Sequence, residues 1–321
     1  MSFSRDSKLE VLSQDFEDAN ESLAFLSGLF HATGQITKNA EGIRADLVTD
    51  IVEIFDYTNK IVKKLYGDEL KIEISDDYII NKTTYYRIMF PYYISKRVLS
   101  DCGILEGQEF EINYHINPNI IPDEQTKRAF IKGAYVGCST SSIKFSQLGS
   151  QNNTTGYHLE FSSHNPKFLE DLRELLTEFG IMSKLFERKS NFVLYLKDSE
   201  TISDLLALVG AADSVMSLAN EMATRGLRNV VNRQVNCINA NINKTIEASL
   251  KQIRAIKIID EKVGLDSLPD DLQDVAVLRL ANPQESMDEL LKLSTITLTK
   301  SGLNHRFCRL IKIAEKLTQK D

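Results

Sequence analysis

FLSGLFHATGQI at residues 25–36 is written a second time, as FIKGAYVGCSTS, at residues 130–141. Internal repeats are read before secondary structure, because a missed repeat misassigns everything around it. The match continues downstream: RADLVTDIVEIFDYTNKIVKKLYG (44–67) lies without gaps over YHLEFSSHNPKFLEDLRELLTEFG (157–180). Each copy then offers two strand-like runs, LKIEIS and YYRIMF in the first, SKLFER and FVLYLK in the second. Each closes on a short helix and a glycine, near VLSDCGI and LLALVGA. The order helix, strand pair, helix, strand pair, helix predicts an α+β half-domain built on an antiparallel sheet and present twice. The halves are expected at about 21–107 and 126–213, behind an N-terminal helix over 1–20. Small residues recur four apart in the opening helix of each copy, Gly28 with Ala32 and Gly133 with Gly137. Missing side chains at that spacing let two helix backbones approach, so these helices are expected to pack on a pseudo-twofold axis.

The C-terminal part reads differently. In 268–317 the pattern predicts three helices. Pro269 and Asp271 open the first, which carries Leu272, Val275, Leu278 and Arg279. Ser286 with Glu289 three residues on is the spacing of a capping box for the second. Ser301 is expected to cap the third. In that helix Leu303, Phe307, Leu310, Ala314 and Leu317 share one face, and His305, Arg309, Lys312 and Lys316 another. A helix that buries one side and presents Asn304, His305, Arg306 and Arg309 near its start suits a major groove. The predicted domain is a helix-turn-helix over 263–321.

Residues 214–262 are expected to form a linker helix with two stripes. Val231, Val235, Ile238, Ile242 and Ile246 make one, and Asn229, Asn232, Asn236, Asn239 and Asn243 the other. Asparagine is a mediocre helix former, so five at helical spacing call for a contact. Their amides either meet DNA or bond a neighbouring helix or loop, whereas Arg225, Arg228, Arg233 and Lys244 lean to phosphate.

Net charge is −7 over 321 residues, which on its own discourages a nucleic-acid partner. The distribution of that charge points the other way. Residues 1–220 hold 22 basic and 32 acidic side chains, whereas 221–321 hold 16 and 13. Two basic clusters, at 221–257 and 292–320, on an acidic body suit local phosphate contact with little non-specific binding. Cys102, Cys138, Cys237 and Cys308 lie far apart without a CxxC pair, the usage of a reduced compartment without structural zinc. His31, His115, His158 and His164 show no metal-ligand spacing. There is no phosphate loop, nucleophile motif, membrane-length apolar run or secretory leader, so no cofactor and a cytoplasmic, nucleoid-associated location are expected. Tyr85, Tyr86, Tyr92 and Tyr93 are expected to pack, and 109–124 to join the two halves as a loop.

LSGLFHATG and IKGAYVGCS resemble the paired LAGLIDADG helices of homing endonucleases. In that family an acidic residue near each helix end binds the catalytic metal. The matching positions here are Thr33 and Cys138, neither a carboxylate, so the usual two-metal hydrolysis centre cannot be assembled from them. A sharper resemblance lies downstream. RNVVNRQVNCINANINKT, GLDSLPDDLQDVAVLRLANP and TKSGLNHR resemble the signature of the WhiA family of bacterial regulators, as does the opening MSFSRDSKLEVL. That resemblance spans essentially the whole chain. It implies a degenerate LAGLIDADG domain joined to a helix-turn-helix like region 4 of sigma factors. It also implies double-stranded DNA as partner and a role in cell division and chromosome segregation, or sporulation in some relatives.

The expected function is therefore a non-enzymatic, sequence-specific DNA-binding regulator. Lys300, Ser301, Asn304, His305, Arg306, Arg309 and Lys312 are its reading and anchoring residues. The duplicated domain is a surface for regulatory proteins. Two alternatives stay open: a residual endonuclease or nickase, and a ligand-gated regulator with a pocket between the repeats.

Overall fold

The computed structural model describes residues 2–80, 83–107, 111–143, 156–189, 191–294 and 298–319. The chain divides into two compact units, Met1–Arg225 and Gly226–Asp321.

The first unit opens with α1 (Phe3–Leu12), which is shorter than the helix expected over 1–20. The first repeat follows as α2 (Ala19–Thr33), β1 (Gly34–Asn39), β2 (Gly42–Thr49), α3 (Glu53–Tyr66), β3 (Lys71–Ile80), β4 (Thr83–Met89) and α4 (Tyr92–Asp101). A small hairpin, β5 (Leu105–Glu106) with β6 (Glu111–Ile112), and a 3-10 turn at Pro118–Ile120 lead to the second repeat. That copy is α5 (Glu124–Cys138), β7 (Ser139–Ser141), β8 (Leu159–Ser163), α6 (Pro166–Glu178), β9 (Lys184–Arg188), β10 (Asn191–Leu196) and α7 (Ser199–Leu208). The fold is α+β. The two antiparallel sheets have matching orders, β1-β2-β4-β3 and β7-β8-β10-β9.

Local chemistry sets the element ends. Asp18, Asp123, Asn165 and Asp198 each accept a backbone N–H at a helix start, and Thr126 completes a capping box with Asp123. The helices stop at glycines with positive φ, Gly67 after α3 and Gly180 after α6, where a side chain would strain the left-handed backbone. Strand alternation sends Ala45 and Leu47 of β2, and Leu159 and Phe161 of β8, into the core. Asp46 lies between the first pair and is buried too. It takes Arg87 at 2.6 Å and Arg44 at 3.1 Å.

α2 and α5 form the spine of this unit. A Cβ on Gly28 would lie 2.2 Å from the carbonyl oxygen of Phe130, and one on Gly133 would lie 2.0 Å from that of Phe25. The backbones are in direct contact there, as the four-residue spacing predicts, and only glycine leaves the room. Phe25, Phe30, Phe130 and Phe168 fill the space on either side.

The unit boundary falls inside α8 (Ala212–Val263). The second unit continues with a 3-10 turn (Leu265–Ser267), α9 (Asp270–Ala281), α10 (Met287–Leu293) and α11 (Lys300–Thr318). Its core gathers Ile256, Ile259, Leu272, Val275, Leu290, Leu303, Phe307 and Leu310. Burying Phe307 alone contributes roughly 2–3 kcal/mol. Among the described residues, no helix is long and apolar enough to cross a membrane.

Candidate nucleic-acid interface

α11 buries Leu303, Phe307, Leu310 and Ala314 against α9 and α10. The opposite strip, Ser301, Asn304, His305, Cys308, Arg309 and Lys312, is exposed at steps of three and four residues. Amide, imidazole, guanidinium and ammonium groups therefore project from one side of a helix whose other side is fixed by packing. That is the arrangement a reading helix requires.

The helix start differs from the sequence expectation. Thr299, not Ser301, is the N-cap: its backbone is extended and its Oγ1 accepts from the N–H of Gly302 at 3.1 Å. Ser301 sits in the first turn with its side chain exposed. The capping box at α10 is also only half made. Ser286 Oγ accepts from the N–H of Glu289 at 3.2 Å, while the Glu289 carboxylate turns out to Lys292 at 2.8 Å.

The charged residues divide into two sets. His305 and Lys312 lie open, and Lys300 pairs at 2.6 Å with Asp288 where both are well exposed. Asp271 of α9 takes two arginines, Arg306 at 3.5 Å and Arg309 at 3.3 Å. Their exposures differ, 20% for the Arg306 side chain and 45% for Arg309. Arg309 is thus available to a ligand by a rotamer change, whereas Arg306 is tucked toward α9. An exposed pair of this kind contributes at most about 1 kcal/mol, so a phosphate can compete for Arg309.

Arg279 has a role that sequence reasoning missed, having placed it among the apolar positions of α9. It is 2% exposed and its guanidinium spans the turn between α9 and α10. Nη1 donates to the carbonyls of Glu285 at 2.7 Å and Asn282 at 3.3 Å, and the group lies over the ring of Phe307, 5.2 Å from its centroid. Burial pulls its pKa below the ordinary arginine value. One buried cation thereby ties the turn between α9 and α10 to the core side of α11.

α8 meets the expectation unevenly. Arg225 is not presented to a ligand: it pairs with Glu221 at 2.7 Å, nearly buried, and covers the ring of Tyr157 at 4.3 Å. An (i, i+4) Glu–Arg pair was the signal available for this in the sequence. Arg228 is half-buried, while Arg233, Lys244 and all five asparagines of the stripe are exposed. The apolar stripe is exposed as well, Ile238 by 58% and Val231 by 54%.

In the repeat unit, the helix ends that would hold catalytic acids do not. Thr33 Oγ1 donates to the carbonyl of Val48. Cys138 Sγ donates to the carbonyl of Ala134 at 3.4 Å, and burial pushes its thiol up to about 12. Lys8 lies beside it with its own pKa lowered by burial. Among the described residues there is no group of three His, Cys, Asp or Glu side chains placed to hold a metal ion. His158 and His115 are engaged with Glu160 at 2.9 Å and Asp171 at 3.0 Å.

The comparisons with known proteins agree with this geometry. Residues 231–314 match the family description "WhiA C-terminal HTH domain", and residues 22–84 and 127–228 match "WhiA LAGLIDADG-like domain". The chain belongs to the WhiA family. It is 36% identical over 323 residues to the "Probable cell division protein WhiA" of Clostridium tetani, with 99% of each chain covered. The protein of that name from Clostridium botulinum is 35% identical over 322 residues, again with 99% of each covered. Among solved structures, the full-length DUF199/WhiA of Thermatoga maritima superposes with a TM-score of 0.58 at 26% identity. That match covers 98% of this chain and 99% of the other. The helix-turn-helix match begins inside α8 and runs through α9 and α10 into α11, and the LAGLIDADG-like match covers parts of both repeats and ends inside α8.

Proposed function

We propose that this chain is a sequence-specific double-stranded DNA-binding regulator without catalytic activity, acting in cell division and chromosome segregation. The exposed strip of α11 carries the reading. Asn304 and His305 are suited to base edges, being short, polar and on the first turns of a helix whose far side is packed. Arg309 can serve a guanine edge or a phosphate once released from Asp271. Lys300, Ser301 and Lys312 are suited to phosphate oxygens, with Arg306 a secondary contact held back by Asp271. Arg228, Arg233 and Lys244 add cationic charge along α8, and the amides of its asparagine stripe are free of the core. The cell-division role follows the names of the clostridial relatives.

The repeat unit is proposed as a scaffold and a surface for regulatory proteins, not a nuclease. Thr33 and Cys138 give no metal ligand set, and Arg44 and Arg87 of the first sheet are both paired with Asp46. A cytoplasmic location at the nucleoid goes with this reading. Fluorescence anisotropy on selected duplexes tests it: His305→Ala and Arg309→Ala should each weaken binding about 10-fold or more, the loss of one or two good contacts. Incubation of supercoiled plasmid with the chain and magnesium should leave it uncut. Nicking that disappears on substitution at the α2–α5 interface would overturn the non-enzymatic reading.

A further inference from the structure

The two repeats are alike, but the grooves beside their spine are not filled alike. In the second repeat, the end of α5 and the start of β7 face the turn after β2. That groove is plugged by α1. Ser4 Oγ accepts from the N–H of Ser141 at 3.2 Å, Ser7 Oγ meets the Tyr135 hydroxyl at 2.7 Å, and the buried Lys8 lies beside Cys138. The pseudo-symmetric groove lies between the end of α2 and the turn after β8. The segment before α5 that should plug it forms no α-helix among its described residues. It contributes Ile104, Ile112 of β6, Asn113 and Tyr114 to the wall.

The result is a cavity of about 550 Å³ reached from His31, Gln35, Ser163, His164 and Asn191. That is the size range of a small-molecule site. Two of its polar atoms are buried and have no hydrogen-bond partner, His31 Nε2 and Asn191 Oδ1. His31 is held in place by its neighbours: its ring stacks on Phe168 at 5.4 Å and 10°, with Phe130 at 5.7 Å. Its counterpart in the second repeat is Val136, fully buried. An apolar residue would satisfy the packing at position 31 equally well, so the imidazole is in excess of what the fold needs. A buried polar atom without a partner costs about 1–3 kcal/mol, and two on residues that line one cavity call for a shared cause.

The lining also specifies the ligand. Among its described residues there is no Lys, Arg, Asp or Glu. An anionic molecule would lose its hydration there without gaining a counter-ion. Several of the other polar side chains are already committed: Asn165 caps α6, Asn113 bonds the carbonyl of Gly103, and Thr33 bonds that of Val48. The lining atoms that are buried without a partner are an acceptor at Asn191 and an imidazole nitrogen at His31, set among Phe30, Ile36 and Tyr114. From this geometry we infer that the groove left open by the missing plug is a binding site for a neutral, flat, hydrogen-bonding heterocycle of nucleobase or nucleoside class. The ligand donates to Asn191 Oδ1, pairs with His31 Nε2 and lies against the aromatic wall. The site is distinct from the α11 surface and does not depend on the DNA reading.

Isothermal titration of the full chain with adenosine, guanosine, cytidine, uridine and thymidine tests the inference. At least one should bind with Kd below about 1 mM, and its 5′-monophosphate should bind several-fold more weakly. His31→Phe keeps the stacking and Asn191→Ala removes the other orphan; each should weaken that nucleoside about 10-fold, one hydrogen bond's worth. Unliganded melting of both variants checks that they fold. If His31→Phe does not, Asn191→Ala carries the test alone. The inference is overturned if no nucleoside binds at about 5 mM. It is equally overturned if folded variants bind like the parent, or if the monophosphates bind more tightly than the nucleosides.

Discussion

Adding one methyl group at Gly133 should loosen the spine of the repeat unit, and the size of the effect can be worked from the contact. The Cβ of Gly133→Ala would stand 2.0 Å from the Phe25 carbonyl oxygen and 2.9 Å from the Leu29 nitrogen, both backbone atoms that cannot swing aside. Relief requires α2 and α5 to part by about 1.2 Å. A helix crossing of this kind holds on the order of 50 atom pairs at about 0.15 kcal/mol each, and such a gap forfeits about 40% of that, or about 3 kcal/mol. Replacing glycine by alanine inside a helix returns about 1 kcal/mol. The net loss is about 2 kcal/mol, which in a unit of this size lowers the melting temperature by about 4–8 °C. Gly28→Ala on the facing helix meets Phe130 in the same way, at 2.2 Å. The same separation relieves both clashes, so the double variant should melt no lower than the worse single one. Differential scanning calorimetry of the full chain reads both numbers. A Gly133→Ala protein that melts at or above the parent would refute the close approach. So would a double variant whose loss is the sum of the two.

Three further outcomes follow from the same geometry. Arg279→Met keeps the apolar stem but strands the carbonyls of Asn282 and Glu285. Amide exchange over α9 to α11 should then accelerate about 30- to 300-fold, a loss of roughly 2–3.5 kcal/mol, while the repeat unit is unchanged. The repeat unit should also lose stability in mild acid. Burial lowers the His31 pKa to about 4, against a weaker opposing pull from Asp171, so the unfolded chain binds a proton that the folded one refuses. Stability is therefore full above pH 6.5 and falls as pH drops toward 4, by about 2 kcal/mol between pH 7.5 and 5. His31→Phe should remove that part of the slope in chemical-denaturation curves. Finally, Lys312→Ala should lower the slope of log affinity against log salt by about 0.9 without altering sequence preference, as loss of one phosphate contact does.

The duplicated unit was legible because the repeat states its own topology twice, and because the glycine spacing at 28 and 133 has a single steric meaning. α9 to α11 were legible from helical periodicity and from Pro269 and Ser286 as start signals. The misreadings share a cause. Thr299 and Ser301 are both good caps in isolation, and the helix begins two residues earlier than Ser301 would set, with Thr299 as its cap. Arg279 and Arg225 are charged residues that read as surface. Their burial depends on what other elements offer them, loop carbonyls and Phe307 for one, Glu221 and Tyr157 for the other. The open groove at His31 is visible only in three dimensions, since it comes from a helix that one repeat has and the other lacks.

That α11 reads DNA is tested most directly by in vitro selection from a random duplex library, run in parallel with the full chain and with the His305→Ala/Arg309→Ala variant. The expected result is one enriched motif for the parent, bound at least about 100-fold more tightly than random duplex, and its loss in a variant that still melts like the parent. The same motif enriched to the same degree by both proteins would contradict a reading role for α11.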